Sequence, residues 1–265
     1  MRIKYMLILF IIFFSAQAKI TQIHSLAEAQ TILDAADDSS LVLFDVDDTL
    51  IASCTGIFHP KTAEHEILVQ ALKNNLKEKT KDAFDLLWSK AYLYAEIMLV
   101  ENEVADIIKN LQKRNVKVMA LTLRDVGVYG FIQSLEEHCF TQLQKCKIDF
   151  QHNAYQDIIF NEFEPVKGIH PRLYKGIFLT NGTPKGMVLG SFLNTLSSKP
   201  QCVIFFDDIM QNLISVEQEM LKQNIDFHGY HYTRAHDTLV FDFAKAQKQF
   251  DFLHQHGTWP NDKQL

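Results

Sequence analysis

Short, nearly continuous apolar runs recur along the chain at 41–46, 116–122, 174–180 and 202–206. Runs of this length suit β-strands buried on both faces. Between them lie longer stretches with apolar positions at helical spacing, predicting helices over 62–79, 81–98, 101–114, 127–137, 184–197, 209–223 and 235–255. Ser25 and Glu28 form a capping-box pair ahead of Leu26, Ala29, Ile32, Leu33 and Ala36. Residues 226–233 read as a further strand, and Asn181-Gly182 as a turn ahead of a helix opened by Pro184. Residues 140–170 mix strand-like and loop-like pieces. Strands alternating with helices predict an α/β fold of βαβ units, with a largely parallel sheet covered on both faces. In such sheets ligands bind beyond the carboxyl ends of the strands. Polar residues just past each apolar run therefore have the first claim on function.

The first twenty residues, MRIKYMLILFIIFFSAQAKI, follow a different pattern. Arg2 and Lys4 precede an apolar run over 6–14, and Ala16-x-Ala18 fits a small-residue cleavage site. The run is shorter than the roughly 17–25 apolar residues of a membrane-spanning helix. Residues 1–18 are expected to be a signal peptide, with an uncleaved amino-terminal anchor as the alternative. The mature chain would then be exported, to the periplasm or beyond, without stable membrane insertion. An oxidising compartment admits disulfides. Cys139 and Cys146 could pair, and they lack the CxxC spacing of a zinc site. Cys202 reads as a buried free thiol, and Cys54 as buried or paired. Acidic residues number 32 against 26 basic, without a basic run, so nucleic acid is not an expected partner.

Four places carry candidate chemistry. The first strand ends in DVDDT, with Asp45 inside the apolar run and Asp47 two residues on. A carboxylate so placed is costly unless it is paired or binds a metal. The second strand ends at Thr122, followed by Arg124, groups suited to phosphate oxygens. Lys185 stands at the start of the helix near Pro184, where free N–H groups favour anions. The strand at 202–206 runs into Asp207-Asp208, a hard-cation pair.

In this order the four places resemble the motifs of the haloacid dehalogenase superfamily, over residues 41–212. The resemblance implies a three-layer, Rossmann-like core over 19–61 and 100–265, with a small helical cap at 62–99 inserted after the first motif. It implies a Mg²⁺-dependent phosphatase acting on a small phosphorylated substrate. Asp45 would be the nucleophile, forming an aspartyl-phosphate, and Asp47 the general acid and then base. Thr122 and Lys185 would hold the phosphate. Asp45, the Asp47 carbonyl, Asp207 and Asp208 would hold Mg²⁺. Asn212 stands where many relatives carry another acid. Phe58, His59 and Arg124 are candidate substrate contacts. The alternative is an exported binding or effector protein on the same scaffold, with weak or no turnover.

Overall fold

The computed structural model describes residues 19–54, 58, 63–75, 80–152, 155–238 and 242–260. The expected leader at 1–18 and the candidate contact His59 lie outside the described residues.

The chain runs through β1 (Lys19–Ile23), a 3-10 turn (Leu26–Ala29), α1 (Gln30–Ala35), β2 (Ser40–Phe44) and β3 (Ile51–Ser53). Next come α2 (Ala63–Asn75), α3 (Lys81–Tyr94), β4 (Ile97–Leu99), α4 (Val104–Lys113), β5 (Lys117–Thr122) and α5 (Leu135–Lys145). Then follow β6 (Ile158–Ile159), β7 (Arg172–Tyr174), β8 (Ile177–Leu179), α6 (Lys185–Thr195) and β9 (Cys202–Asp207). The chain closes with α7 (Met210–Gln223), β10 (Asp226–Tyr232), α8 (Arg234–Thr238) and α9 (Phe243–His256).

An eight-stranded sheet in the order β1-β10-β9-β2-β5-β8-β7-β6 forms the middle layer. The pairings from β1 to β8 are parallel, and the β7 and β6 pairings are antiparallel. Alternate residues of the central strands serve two cores. Val42, Phe44, Val118, Ala120, Ile204 and Phe206 face one side, against α4 and α5. Leu41, Leu43, Met119, Leu121, Val203 and Phe205 face the other, against α6 and α7. Both faces are dry, which is why these strands read as continuous apolar runs rather than alternating ones. The fold is three-layered, α/β and Rossmann-like. Among the described residues no helix is long and apolar enough to cross a membrane.

Several elements depart from the sequence reading. Strand β1 continues the sheet beyond β10 and was not anticipated. The insert after β2 is bracketed by an antiparallel pair, β3 with β4, three residues each and too short to signal by periodicity. The expected helix over 127–137 does not form. Its place is a loop in which Gly127 and Gly130 take φ of +90° and +54°. A Cβ on Gly130 would fall 2.0 Å from Ser89 Oγ of α3, so only glycine fits there. The helix starts later, at α5, where the Ser134 side chain accepts from the Glu137 N–H. The expected strand over 174–180 is split by a turn at Lys175 and Gly176 into β7 and β8. The single helix expected over 235–255 becomes α8 and α9, with Asp242 capping the second.

Helices α2 and α3 form a unit with α9. Leu68 of α2 and Ala246 and Phe250 of α9 are buried together, with Leu87 and Trp88 of α3 and Trp259 packed around them. The carboxyl-terminal helix thus covers the helices of the 62–99 insert.

The cysteine expectations also change. Among the described residues, Cys139, Cys146 and Cys202 form no disulfide. Cys139 lies within α5 and Cys146 at its end, seven residues on, a rise of about 10 Å along a helix. That exceeds the reach of a disulfide. Cys202 is half-buried rather than buried, because it opens β9 at the rim of the sheet.

The loop after β5 is anchored by Glu136, which accepts from the Gly127 N–H at 2.9 Å and pairs with Arg172. Burial alone would raise this carboxyl, but the Gly127 bond and Arg172 outweigh it and hold it below its ordinary 4.5. A depressed carboxyl contributes stability above its unfolded pKa and loses it as pH falls through the folded one. Glu136→Gln should therefore cost about 1–3 kcal/mol at pH 7. The deficit should shrink below pH 4.5, as urea denaturation at several pH values would show.

Candidate active site

The carboxyl ends of β2, β5 and β9 meet at one edge of the sheet, as their parallel pairing requires. Asp45 follows β2, and its N–H donates to Phe206 O of β9 at 2.8 Å. Asp207 ends β9, and Thr122 ends β5. Lys185, first residue of α6, reaches between the two carboxylates. Its Nζ donates to Asp45 Oδ1 at 2.6 Å and to Asp207 Oδ2 at 2.5 Å. The Lys185 and Asp207 side chains are fully buried and that of Asp45 is 8% exposed.

Asp207 is held on its other oxygen by the Ile209 N–H at 2.8 Å and by Asn212 Nδ2 at 3.0 Å. Asn212 thus orients Asp207 without adding charge. Asp45, Asp207 and Asp208 place carboxylate oxygens within 4.8 Å of one another. Burial drives the Asp45 carboxyl well above the ordinary range, with the Asp207 and Asp208 charges adding to it and Lys185 opposing. Asp207 is raised by burial in the same way. Burial would lower Lys185, but Asp207 and Asp45 outweigh it, so the ammonium stays charged. One ammonium cannot neutralise this cluster. A small hard cation fits the surplus negative charge and the all-oxygen donor set.

The Asp47 carboxylate, expected near the metal, is not part of that cluster. Its side chain meets Arg124 in a bidentate pair, Nε to Oδ2 at 2.8 Å and Nη2 to Oδ1 at 2.6 Å. Arg124 Nη1 also donates to Gln142 Oε1 at 2.7 Å, and the Arg124 N–H donates to Thr122 Oγ1 at 3.3 Å. The surrounding protein would raise the Asp47 carboxyl, but the Arg124 charge and hydrogen bonds prevail and hold it low. Arg124, read from sequence as a substrate contact, is here the partner of the residue read as the acid. The guanidinium fork matches a carboxylate as well as a phosphate.

These residues line a cavity of about 500 Å³. Asp45, Asp47, Thr122, Arg124, Lys185 and Asp208 all reach it, and Phe58 and Tyr92 form its outer wall. Asp207 stands behind Lys185.

A family model described as "Protein of unknown function (DUF2608)" matches residues 19–262. The chain belongs to the DUF2608 family. This corrects the assignment suggested by the resemblance to haloacid dehalogenases. That resemblance rested on a handful of strand-end positions, whereas the DUF2608 match spans every described residue.

Among the relatives, an uncharacterized Rickettsia prowazekii protein is 23% identical over 207 residues, covering 77% of this chain and 73% of its own length. An uncharacterized Rickettsia conorii protein is 25% identical over 160 residues, covering 58% and 54%. A Chlamydia trachomatis protein, provisionally named an outer membrane protein, is 24% identical over 203 residues, covering 74% and 70%.

Two cleft residues of this DUF2608 chain were not singled out from sequence. His236, on α8, places Nε2 at 2.8 Å from Asp208 Oδ2, and this bond raises its pKa. No spacing signal links a histidine to an aspartate 28 residues earlier. Asp48 takes φ +57° and lines the same cavity. Burial, with the Asp208 and Asp47 charges, pushes its carboxyl up to about 7. Strand β3 follows it in the chain.

Proposed function

We propose that this DUF2608 protein is a Mg²⁺-dependent phosphatase that hydrolyses small phosphomonoesters through a phosphorylated Asp45. The observation that supports this most directly is the buried Asp45–Lys185–Asp207 bridge with Asp208 beside it. A nucleophilic carboxylate, a lysine for phosphoryl oxygens and surplus carboxylates for a cation serve phosphoryl transfer together. A binding protein has no need to bury that much like charge.

In the first step an Asp45 oxygen bonds to phosphorus while the ester P–O bond breaks and the alcohol leaves with a proton. In the second, water attacks the phosphoryl group, Asp47 takes its proton, and the Asp45–phosphoryl bond breaks to release inorganic phosphate. The Arg124 pair keeps Asp47 ionised, as the second step requires. A substrate phosphoryl group competes with Asp47 for the Arg124 fork. Once Arg124 turns to it, Asp47 is free to carry the proton needed by the leaving oxygen. Lys185 and Thr122 hold the phosphoryl oxygens. Mg²⁺ on Asp45, Asp207 and Asp208 would neutralise charge on those oxygens. The leaving group would lie against Phe58 and Tyr92 in the outer cleft.

Export belongs to the same proposal. It rests on the leader-like residues 1–18 and on the outer membrane designation of the Chlamydia trachomatis relative. Periplasmic or secreted location would follow.

Purified mature protein is expected to hydrolyse an aryl phosphate with Mg²⁺, to stop in EDTA and to recover when Mg²⁺ is restored. Undiminished hydrolysis in EDTA would remove the metal from the scheme. No turnover over a broad phosphomonoester panel, in protein that still binds Mg²⁺, would favour the binding-protein alternative.

A further inference from the structure

A second cluster lies at the opposite, amino-terminal edge of the sheet. Strands β9 and β10 begin side by side there, with Cys202 paired in register with Asp226. His228 is two residues along β10, so its side chain shares a face with Asp226. The intervening Phe227 points into the core on the other side of the sheet, whereas Cys202 and Tyr230 pack toward the first core. Three ligand types therefore converge: a thiol, an imidazole and a carboxylate. One ligand atom from each lies within 4.8 Å of the others.

We propose that Cys202, Asp226 and His228 form a binding site for a thiophilic divalent cation of the zinc class. His228 Nε2 stands 3.2 Å from Asp226 Oδ2. A tetrahedral ion bound to both atoms at about 2.0 Å would hold them about 3.3 Å apart. The other Asp226 oxygen accepts from the Phe227 N–H at 3.1 Å, which fixes the carboxylate toward the histidine. The Asp226 and His228 side chains are 46% and 29% exposed, so water can fill a fourth position. An ordinary surface histidine–aspartate pair accounts for two of these groups but not for the thiol between strands. The donor set also separates this site from the cleft. Thiolate and imidazole select zinc-class ions, whereas the all-carboxylate cleft suits Mg²⁺.

Binding is an exchange. The S–H bond of Cys202 breaks, its proton leaves to solvent, and sulfur bonds to the cation. Affinity should therefore rise with pH. The ion would tie the starts of β9 and β10 together.

Co²⁺ titration of the chelator-treated mature protein tests the site with a spectroscopic readout. One equivalent should produce a thiolate-to-cobalt charge-transfer band and visible bands of tetrahedral intensity. Cys202→Ser should abolish the charge-transfer band, and His228→Gln should weaken binding by at least about tenfold. Asp207→Asn and Cys54→Ser should leave the band in place. Absence of the band in the unmutated protein, or its survival in Cys202→Ser, would overturn the proposal. Should Cys202→Ser fail to fold, alkylation of the unmutated protein decides. Zn²⁺ should slow iodoacetamide modification of Cys202 and leave that of Cys54 unchanged. Equal Cys202 rates with and without Zn²⁺ would overturn the site.

Discussion

Replacing Asp45 with Asn is expected to abolish phosphoenzyme formation and turnover together. The amide keeps the size of the side chain but is a poor nucleophile, and one carboxylate is lost from the cluster of Asp45, Asp207 and Asp208. Loss of a nucleophile that works with its neighbours as a unit can cost on the order of 10⁶ in kcat. Asp47→Asn should behave differently. It leaves Asp45 and Lys185 in contact and removes the partner of Arg124. With an aryl phosphate, whose leaving group needs little protonation, the first step should persist while hydrolysis of the aspartyl-phosphate lacks its base. Phosphoenzyme should accumulate, and turnover should fall by about 10²–10⁴-fold, the usual worth of general acid–base catalysis. Rapid-quench trapping with radiolabelled substrate separates the two variants. A covalent phosphoenzyme in Asp45→Asn would show that the nucleophile lies elsewhere.

The second large effect is expected on stability. Lys185 is fully buried and bridges Asp45 and Asp207. Lys185→Met fills similar space but leaves two buried carboxylates without their cation. Removing one partner of a buried pair costs about 3–5 kcal/mol. The sign with pH follows from the shifts. The ammonium is raised above its ordinary 10.5, so its contribution is complete at neutral pH and is lost only as pH rises through the raised value. In Lys185→Met, Asp45 and Asp207 must take up protons to stay buried, so the deficit should narrow toward acid pH. Mg²⁺ should also raise the melting temperature of the variant more than that of the unmutated protein, by replacing the missing positive charge. Urea denaturation across pH, with and without Mg²⁺, measures both effects. A loss under about 1 kcal/mol at pH 7 would mean that the bridge is worth no more than an exposed pair.

The layers of the protein and half of its cleft are legible in the pattern of residues along the chain. Strands buried on both faces must be continuously apolar, so β2, β5 and β9 were legible as runs. Asp45, Thr122 and Asp207 were legible as the polar residues that close them, and Lys185 as the cation opening the helix after β8. Which groups meet depends on how the chain packs. Asp47 and Arg124 are 77 residues apart, and Asp208 and His236 are 28 apart. Their contacts depend on strand order and on loop paths, which no local period records. The same holds at the other edge of the sheet, where Cys202 meets Asp226 and His228 because β9 and β10 run side by side. The elements missed from sequence have separate causes. Strands β3 and β4 have three residues each, too few for a period to show. The loop over 127–134 has helical-looking composition but contains glycines committed to positive φ. Hydrophobic pattern encodes burial, whereas backbone conformation at single residues and ion pairing between distant ones are settled only when the chain has packed.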